Sequence, residues 1–109
     1  MQFDKYQKLA MRTKNKTLIH REQLTNICFG LVGEVGEVVD LVKKHLDQRH
    51  PLSQDKIAEE LGDVLWYLAE ACDTVGVSLH TVACANIAKL EARYPSLTFS
   101  AEQSVARKE

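Results

Sequence analysis

Two pairs of acidic residues give this sequence its clearest capacity for chemistry. Glu34 and Glu37 lie three residues apart, and Glu60 and Asp63 repeat that spacing further along the chain. A spacing of three places two side chains on one face of a helix, one turn apart. If the two helices pack antiparallel through their apolar faces, all four carboxylates can meet at one half-buried seam.

Four carboxylates at one seam need a partner for their charge. Two unit charges about 4 Å apart repel by about 4 kcal/mol at an effective dielectric constant of about 20. Protons, a basic side chain or a cation could offset that energy. Sites made only of oxygen atoms suit hard cations, so Mg²⁺ is the expected occupant and Mn²⁺ a possible substitute. The alternative is that all four acids are solvated, which is the commoner case for a single pair of this kind.

The elements that position these acids are two long helices. The first is expected from His20 or Arg21 to about Leu46, and the second from a Ser53 cap to Val75, with Gly76 as its C-terminal stop. On a helical wheel, the first acid of each pair lies at the edge of an apolar stripe. The stripes comprise Leu24, Ile27, Cys28, Leu31, Val35, Val38 and Val42 in the first helix, and Ile57, Leu61, Val64, Leu68, Ala71, Cys72 and Val75 in the second.

Two further helices complete the expected fold. One runs from Phe3 to about Met11, and the other from a Ser78 cap to the residues before Tyr94-Pro95. No segment has the pattern of a strand. We therefore expect an all-α antiparallel bundle of four main helices, with a second subunit completing its core. Residues 1–95 would form the domain, and the tail 96–109 would be either a short helix or disordered.

The last long helix has polar residues that could bind a substrate. Asn86, Lys89 and Arg93 border its apolar stripe, where the two cations could hold anionic oxygens and the amide a polar group. Alternatively, the cations are solvated near a helix C-terminus, where positive charge is favourable. Tyr67 lies about 20° from Glu60 on the wheel and could contact a base or sugar, or pack in the core. Trp66 points away from the acids, which favours contact with a partner subunit.

Three glycines in the first long helix indicate a close approach. Gly30, Gly33 and Gly36 each cost about 1 kcal/mol relative to alanine in a helix interior. Gly30 and Gly33 lie on the acidic side of the wheel, which favours a ligand. Tight packing of another helix is the alternative.

Composition excludes several functional classes. The 109 residues carry a net charge of −1, with no basic block, so nucleic-acid binding is not expected. No apolar run reaches membrane-spanning length, and the polar start, with Asp4 and Lys5, does not resemble a secretory signal. Cys28, Cys72 and Cys84 lack zinc-site spacing and are expected to be reduced and packed. These features favour a cytoplasmic protein without a membrane partner.

The order of these motifs resembles the MazG-like nucleotide pyrophosphohydrolases. The resemblance covers about residues 3 to 95, and its most specific parts are G-E-V-G-E from Gly33, E-E-L-G-D-V-L-W-Y-L from Glu59 and N-I-A-K-L-E-A-R-Y-P from Asn86. Many members have a further acid before the first pair, where this chain has Gly33. Glu59 is either a comparable auxiliary acid in the second motif or a solvated residue.

The resemblance implies an activity and an assembly. It implies Mg²⁺-dependent cleavage of nucleoside triphosphates to monophosphate and pyrophosphate by a homodimer or homotetramer. The metal ligands would be Glu34, Glu37, Glu60 and Asp63, and the substrate contacts would include Asn86, Lys89, Arg93 and Tyr67.

Two other functions are compatible with the same residues. The chain could be a non-catalytic helical module that binds nucleotide or metal to regulate a partner, or a purely structural oligomerising bundle. A di-iron carboxylate bundle is disfavoured, because that class uses Glu-x-x-His and this sequence has none.

Overall fold

The computed structural model describes residues 1–107, and this part of the chain contains helices and no strands. The all-α class is confirmed. The elements are α1 (Phe3–Ala10) with a 3₁₀ turn (Met11–Thr13) directly after it, α2 (His20–Gln48), α3 (Gln54–Val75), α4 (Leu79–Arg93) and α5 (Ala101–Val105). None of these helices is long and apolar enough to cross a lipid bilayer.

The helix boundaries follow from capping residues visible in the sequence. The Ser53 hydroxyl accepts a hydrogen bond from the Lys56 backbone N–H at 3.3 Å, and the Ser78 hydroxyl accepts one from Thr81 at 3.0 Å. Gly76 ends α3 with φ of 82°, a left-handed conformation that glycine adopts without strain. The predicted ends of α3 and α4 are therefore confirmed.

Helices α2 and α3 pack antiparallel as a hairpin, and this pair makes the most extensive contact between elements. Glu34 lies next to Glu60, and Asn26, two turns earlier in α2, contacts Glu70 of α3. The register of this hairpin therefore brings the two acidic motifs to the same level.

Helix α1 packs across α3 and the start of α4. The Gln7 side chain ties α1 to the start of α4. Its amide donates to Val77 O at 3.2 Å, and its oxygen accepts from Leu79 N–H at 2.7 Å. The Trp66 indole donates to Thr13 Oγ1 at 2.8 Å. Trp66 therefore holds the end of α1 within its own chain, and its expected contact with a partner subunit stays a prediction.

The core of one protomer is small. Its buried apolar side chains are Ala10, Ile27, Ala69, Cys72 and Leu79. The Cα radius of gyration is 17.0 Å, compared with about 13 Å for a compact domain of this size. The count of four main helices stays a prediction, since α1 has only 8 residues while α2, α3 and α4 have 29, 22 and 15.

The cysteines are free, as expected, but only one of them is packed. Cys72 is buried in α3, whereas Cys28 and Cys84 are exposed. The expectation of three packed thiols was wrong because α2 and α4 each leave an apolar face uncovered in the protomer.

Candidate metal and substrate site

Three of the predicted acids converge across the hairpin. Glu34 of α2 and Glu60 and Asp63 of α3 each present a carboxylate oxygen, and these oxygens all lie within 4.8 Å of one another. Glu34 and Glu60 are half-buried, and Asp63 is exposed. The three residues are called the acidic group below.

The acidic group perturbs its own proton affinity. A hydrogen bond with Glu34, followed by burial and by the charges of Glu34, Glu37 and Asp63, raises the pKa of Glu60. A raised carboxyl pKa means that the charged form is disfavoured by its surroundings. Glu60 therefore tends to keep its proton, at a position where a cation could take the place of that proton.

Glu37 lies beside the acidic group but outside it. Its negative charge contributes to the raised pKa of Glu60 and, after the hydrogen bond with Asp40, to the raised pKa of Lys44, two turns further along α2. Its role as a metal ligand stays a prediction.

The acidic group suits a hard divalent cation. Its donors are all carboxylate oxygens, the ligand type that Mg²⁺ and Mn²⁺ prefer. The groups that shift the pKa of Glu60 are all acids, so within residues 1–107 no basic side chain neutralises it closely enough to alter that pKa. The residues present therefore fit the metal that the sequence suggested.

Tyr67 of α3 packs against α2 at Gly30, about one turn from Glu34. A Cβ atom on Gly30 would collide with the Tyr67 ring, so the ring lies directly on the Gly30 backbone. The ring also meets Trp66 edge-to-face, with centroids 5.0 Å apart. The close approach at Gly30 therefore comes from another helix, whereas Gly33 and Gly36 have open space where a Cβ would lie.

A buried polar pair lies beyond Tyr67. Glu70 is only 2% exposed, and the Asn26 amide donates to its two carboxylate oxygens at 3.1 and 3.4 Å. Buried carboxylates are costly unless they are hydrogen-bonded, so this contact supports the hairpin register.

Helix α1 brings a phenol to the acidic site. Burial, and then the negative charge of Asp63, raise the pKa of Tyr6. Tyr6 is half-buried on the helix that packs against α3, close enough to Asp63 for its charge to act on the phenol.

The predicted substrate contacts on α4 occupy a different surface. Lys89 and Arg93 line a cavity of about 380 Å³ together with Gln103 of α5 and the two residues that follow α5, and no member of the acidic group lines it. Asn86 is exposed on α4 outside that cavity. Their roles toward a substrate stay predictions.

These features define an all-helical protein with a carboxylate site at the seam of an antiparallel hairpin. Residues 22–98 match the sequence pattern of the MazG nucleotide pyrophosphohydrolase domain, a range that includes both acidic motifs and all of α4. The chain belongs to this family.

One curated relative comes from a virus. The Gene 37 protein of Mycobacterium phage L5 is 40% identical over 76 residues, which cover 66% of this chain and 67% of that protein. No solved structure matches the chain.

Sequence reasoning missed three features: Tyr6 and the Asn26–Glu70 pair on the hairpin side, and the tail residues that line the cavity beside Lys89 and Arg93. A signal for the pair was present, because Asn26, Gly30 and Glu34 recur every four residues and so form one line along α2. The proximity of Tyr6 and α5 depends on how separate helices dock, which no periodicity within one helix encodes.

Proposed function

We propose that this protein hydrolyses nucleoside triphosphates, including deoxynucleotides, to the monophosphate and pyrophosphate in the presence of Mg²⁺. The observation that carries the proposal is the convergence of Glu34, Glu60 and Asp63 from two helices. Family membership supports a nucleotide pyrophosphohydrolase activity. The role would be removal of unwanted nucleotides from the cytoplasmic pool.

The acidic group and Glu37 would hold the metal. When bound, Mg²⁺ would neutralise phosphate charge and lower the pKa of a bound water. A carboxylate of the group would accept the proton of the attacking water. The new bond forms from the water oxygen to the α-phosphorus, and the bond from that phosphorus to the departing pyrophosphate breaks.

The remaining predicted residues would bind and orient the substrate. Lys89 and Arg93 would stabilise charge on the phosphate oxygens, and Asn86 would fix a polar group of the nucleotide. Tyr67 would border the base or sugar from its position on Gly30. Because the cations lie on another surface of the protomer, the complete site would form in the assembled protein.

We further propose that the assembly is a homodimer or homotetramer. Helix α2 also has an exposed apolar stripe, made of other residues than the stripe predicted from the sequence. Phe29 and Val32 are 76% and 74% exposed, and Val39 and Leu46 continue this exposed stripe. A monomeric soluble protein rarely leaves such a continuous apolar surface uncovered. A second copy of the chain is the proposed occupant.

The activity is tested with a panel of nucleotides and Mg²⁺, with pyrophosphate as the measured product. Glu34→Gln, Glu60→Gln and Asp63→Asn should each lower turnover by about 100-fold or more, as expected when a preorganised electrostatic contact is removed. Asp47→Asn is the matched control and should keep the wild-type turnover, because Asp47 is exposed near the end of α2 and lies outside the acidic group. Release of orthophosphate, or nucleotide binding without cleavage, would contradict the proposal, and the latter would favour a regulatory module.

A further inference from the structure

A second cavity, of about 750 Å³, lies where α1 meets the open end of the α2–α3 hairpin. Residues of α1 and of the 3₁₀ turn line it, together with Gln23 near the start of α2, Asp73 near the end of α3 and Ser78 before α4. A volume of this size is within the range of sites that hold small ligands. Asp73 is separated from Asp63 by about 15 Å along the axis of α3. The cavity is therefore apart from the acidic group of the same chain.

Side-chain hydrogen bonds fix the segments that form this cavity. Gln7 bonds to the connection between α3 and α4, and the Trp66 indole donates to Thr13 Oγ1 in the 3₁₀ turn. The Asn15 side-chain oxygen then accepts from both the backbone N–H and the hydroxyl of Thr17, at 3.0 and 2.7 Å. Such a local turn fixes the course of the connection that leads to α2.

One ion pair neutralises the acid that α3 contributes to the lining. Lys14 Nζ donates to Asp73 Oδ2 at 2.9 Å and to Thr74 Oγ1 at 3.1 Å. The Lys14 side chain is only 8% exposed, so its ammonium group is committed to these two partners. The pair holds the residues after α1 against the end of α3.

Three other cations of the lining have no such partner. Within residues 1–107, the side chains of Lys8, Arg12 and Lys16 make no hydrogen bond and no ion pair. Asp4 is the acid of the lining that remains once the Lys14 pair is set aside. Three positive charges then oppose one negative charge, and this excess suits a ligand with at least two negative charges.

Phosphate is the group that fits this lining best. The Arg12 guanidinium can offer two parallel N–H groups to phosphate oxygens, and Lys8 and Lys16 add point charges on flexible stems. A phosphate monoester carries a charge of about −1.5 to −2 at pH 7. A single carboxylate brings one negative charge and would leave part of the excess uncompensated.

We propose that Lys8, Arg12 and Lys16 form a second binding site, which takes the phosphate group of a small molecule. Lys14 would be a positioning residue, because it occupies Asp73 and leaves the other cations to the ligand. The inference does not rest on the proposed hydrolysis, since it uses neither the acidic group nor the predicted substrate contacts. The family match begins at residue 22, so the three cations lie outside the matched region.

Inorganic pyrophosphate and adenosine monophosphate are the two probes, which separate an inorganic phosphate source from a phosphate ester. Each is titrated into the isotope-labelled full chain in EDTA, and the amide NMR shifts report both the affinity and the place of binding. EDTA removes metal ions, so that the acidic group cannot hold a probe through a bridging cation. We expect the shifts to be concentrated in residues 8–16.

Two substitutions test the cations directly. Arg12→Gln should weaken binding of the tighter probe about tenfold, as expected for loss of a hydrogen bond to a charged group. Arg12→Lys should recover part of the affinity, because it restores the charge but not the two-pronged contact. Lys8→Gln should weaken binding a few-fold, since it removes a point charge.

Lys5→Gln is the matched control, because Lys5 is an exposed cation of the same helix and does not line the cavity. It should leave the affinity unchanged. Circular dichroism of each variant checks that the helices are intact.

The outcomes decide between the cavity and other sources of attraction. Tighter binding of pyrophosphate would identify an inorganic oligophosphate as the ligand, tighter binding of the monophosphate an organic ester, and equal binding recognition of the phosphate alone. The proposal fails if neither probe shifts residues 8–16, if Arg12→Gln binds as the wild type does, or if Lys5→Gln weakens binding as much as Arg12→Gln. Shifts confined to α4 would also overturn it and would favour the predicted contacts of Lys89 and Arg93. None of these results depends on whether the protein cleaves a nucleotide.

Discussion

At the scale of single residues, the acidic group works against the stability of the protein that contains it. Glu60 shares a hydrogen bond with Glu34 and feels three neighbouring negative charges. The pKa of Glu60 is raised because of this hydrogen bond, burial and these charges. Such strain is commonly found at sites built for a ligand, where the ligand removes the repulsion.

The pH dependence of stability should reveal this conflict in metal-free protein. The folded-state pKa of Glu60 lies above its ordinary value of 4.5. Between these two pKa values the folded chain holds a proton that the unfolded chain releases, so the free energy of unfolding falls as the pH rises through that window. In EDTA, Glu60→Gln should remove this decrease and melt at a higher temperature than the wild type at pH 7.

Glu59→Gln serves as the control, because it removes a neighbouring charge outside the acidic group. Contributions from titrating residues outside the acidic group and Glu37 cancel when the variant and wild-type melting curves are compared across pH. Parallel curves for Glu60→Gln and the wild type would show that the raised pKa of Glu60 has no consequence for stability.

The buried Glu70 makes a second prediction at this scale. Asn26→Ala removes the amide that donates to both Glu70 oxygens. We expect a loss of about 1–3 kcal/mol in the free energy of unfolding, because the carboxylate is left buried without this partner. Thermal or urea unfolding measures the loss.

A double variant identifies the cause. Asn26→Leu combined with Glu70→Met replaces both polar groups with apolar ones and should recover much of the stability. An Asn26→Ala protein as stable as the wild type would mean that Glu70 is satisfied by other means.

At the scale of helices, the sequence predicted boundaries better than contacts. Ser53, Gly76 and Ser78 act through their own backbone neighbourhood, so their caps could be read from local sequence. The wheel also placed Glu34 and Glu60 on compatible edges. It could not show that Trp66 turns toward Thr13, because that contact depends on the docking angle of α1.

The glycines of α2 illustrate the same limit, since identical residues have different surroundings. Gly30→Ala should destabilise the protein, because its Cβ would meet the Tyr67 ring and overpacking costs about 1–3 kcal/mol. Gly33→Ala has open space and should stabilise the isolated protomer by up to about 1 kcal/mol through helix propensity. Thermal unfolding compares the two variants directly.

The reverse order of stability would contradict this explanation. If Gly30→Ala is the more stable of the two, the Tyr67 ring does not rest on α2 in solution. Measured with nucleotide present, Gly33→Ala also tests whether a substrate approaches α2 closely beside Glu34.

At the scale of the whole molecule, the protomer is extended, with dimensions of 48 × 41 × 28 Å. Many of its large apolar side chains are exposed, because the core of one protomer is too small to bury them. Light scattering after size exclusion should give a mass of two or four times 12.3 kDa. A wild-type mass of 12.3 kDa would contradict the proposed assembly.

A charge placed on the exposed stripe of α2 should reduce that mass. Val32→Lys would bury a charge in the proposed interface, a cost of several kcal/mol that favours dissociation. Val105→Lys is the matched control, because Val105 is 87% exposed on α5 and lies outside the stripe. The control should keep the wild-type mass.

The short connection between α2 and α3, residues 49–53, has a kinetic consequence. A hairpin of adjacent helices relies on contacts close in sequence, the kind that form early during folding. The acidic side chains must therefore approach one another while much of the remaining chain is still unordered. Divalent ions in a refolding buffer would lower that electrostatic barrier and speed the collapse of the hairpin.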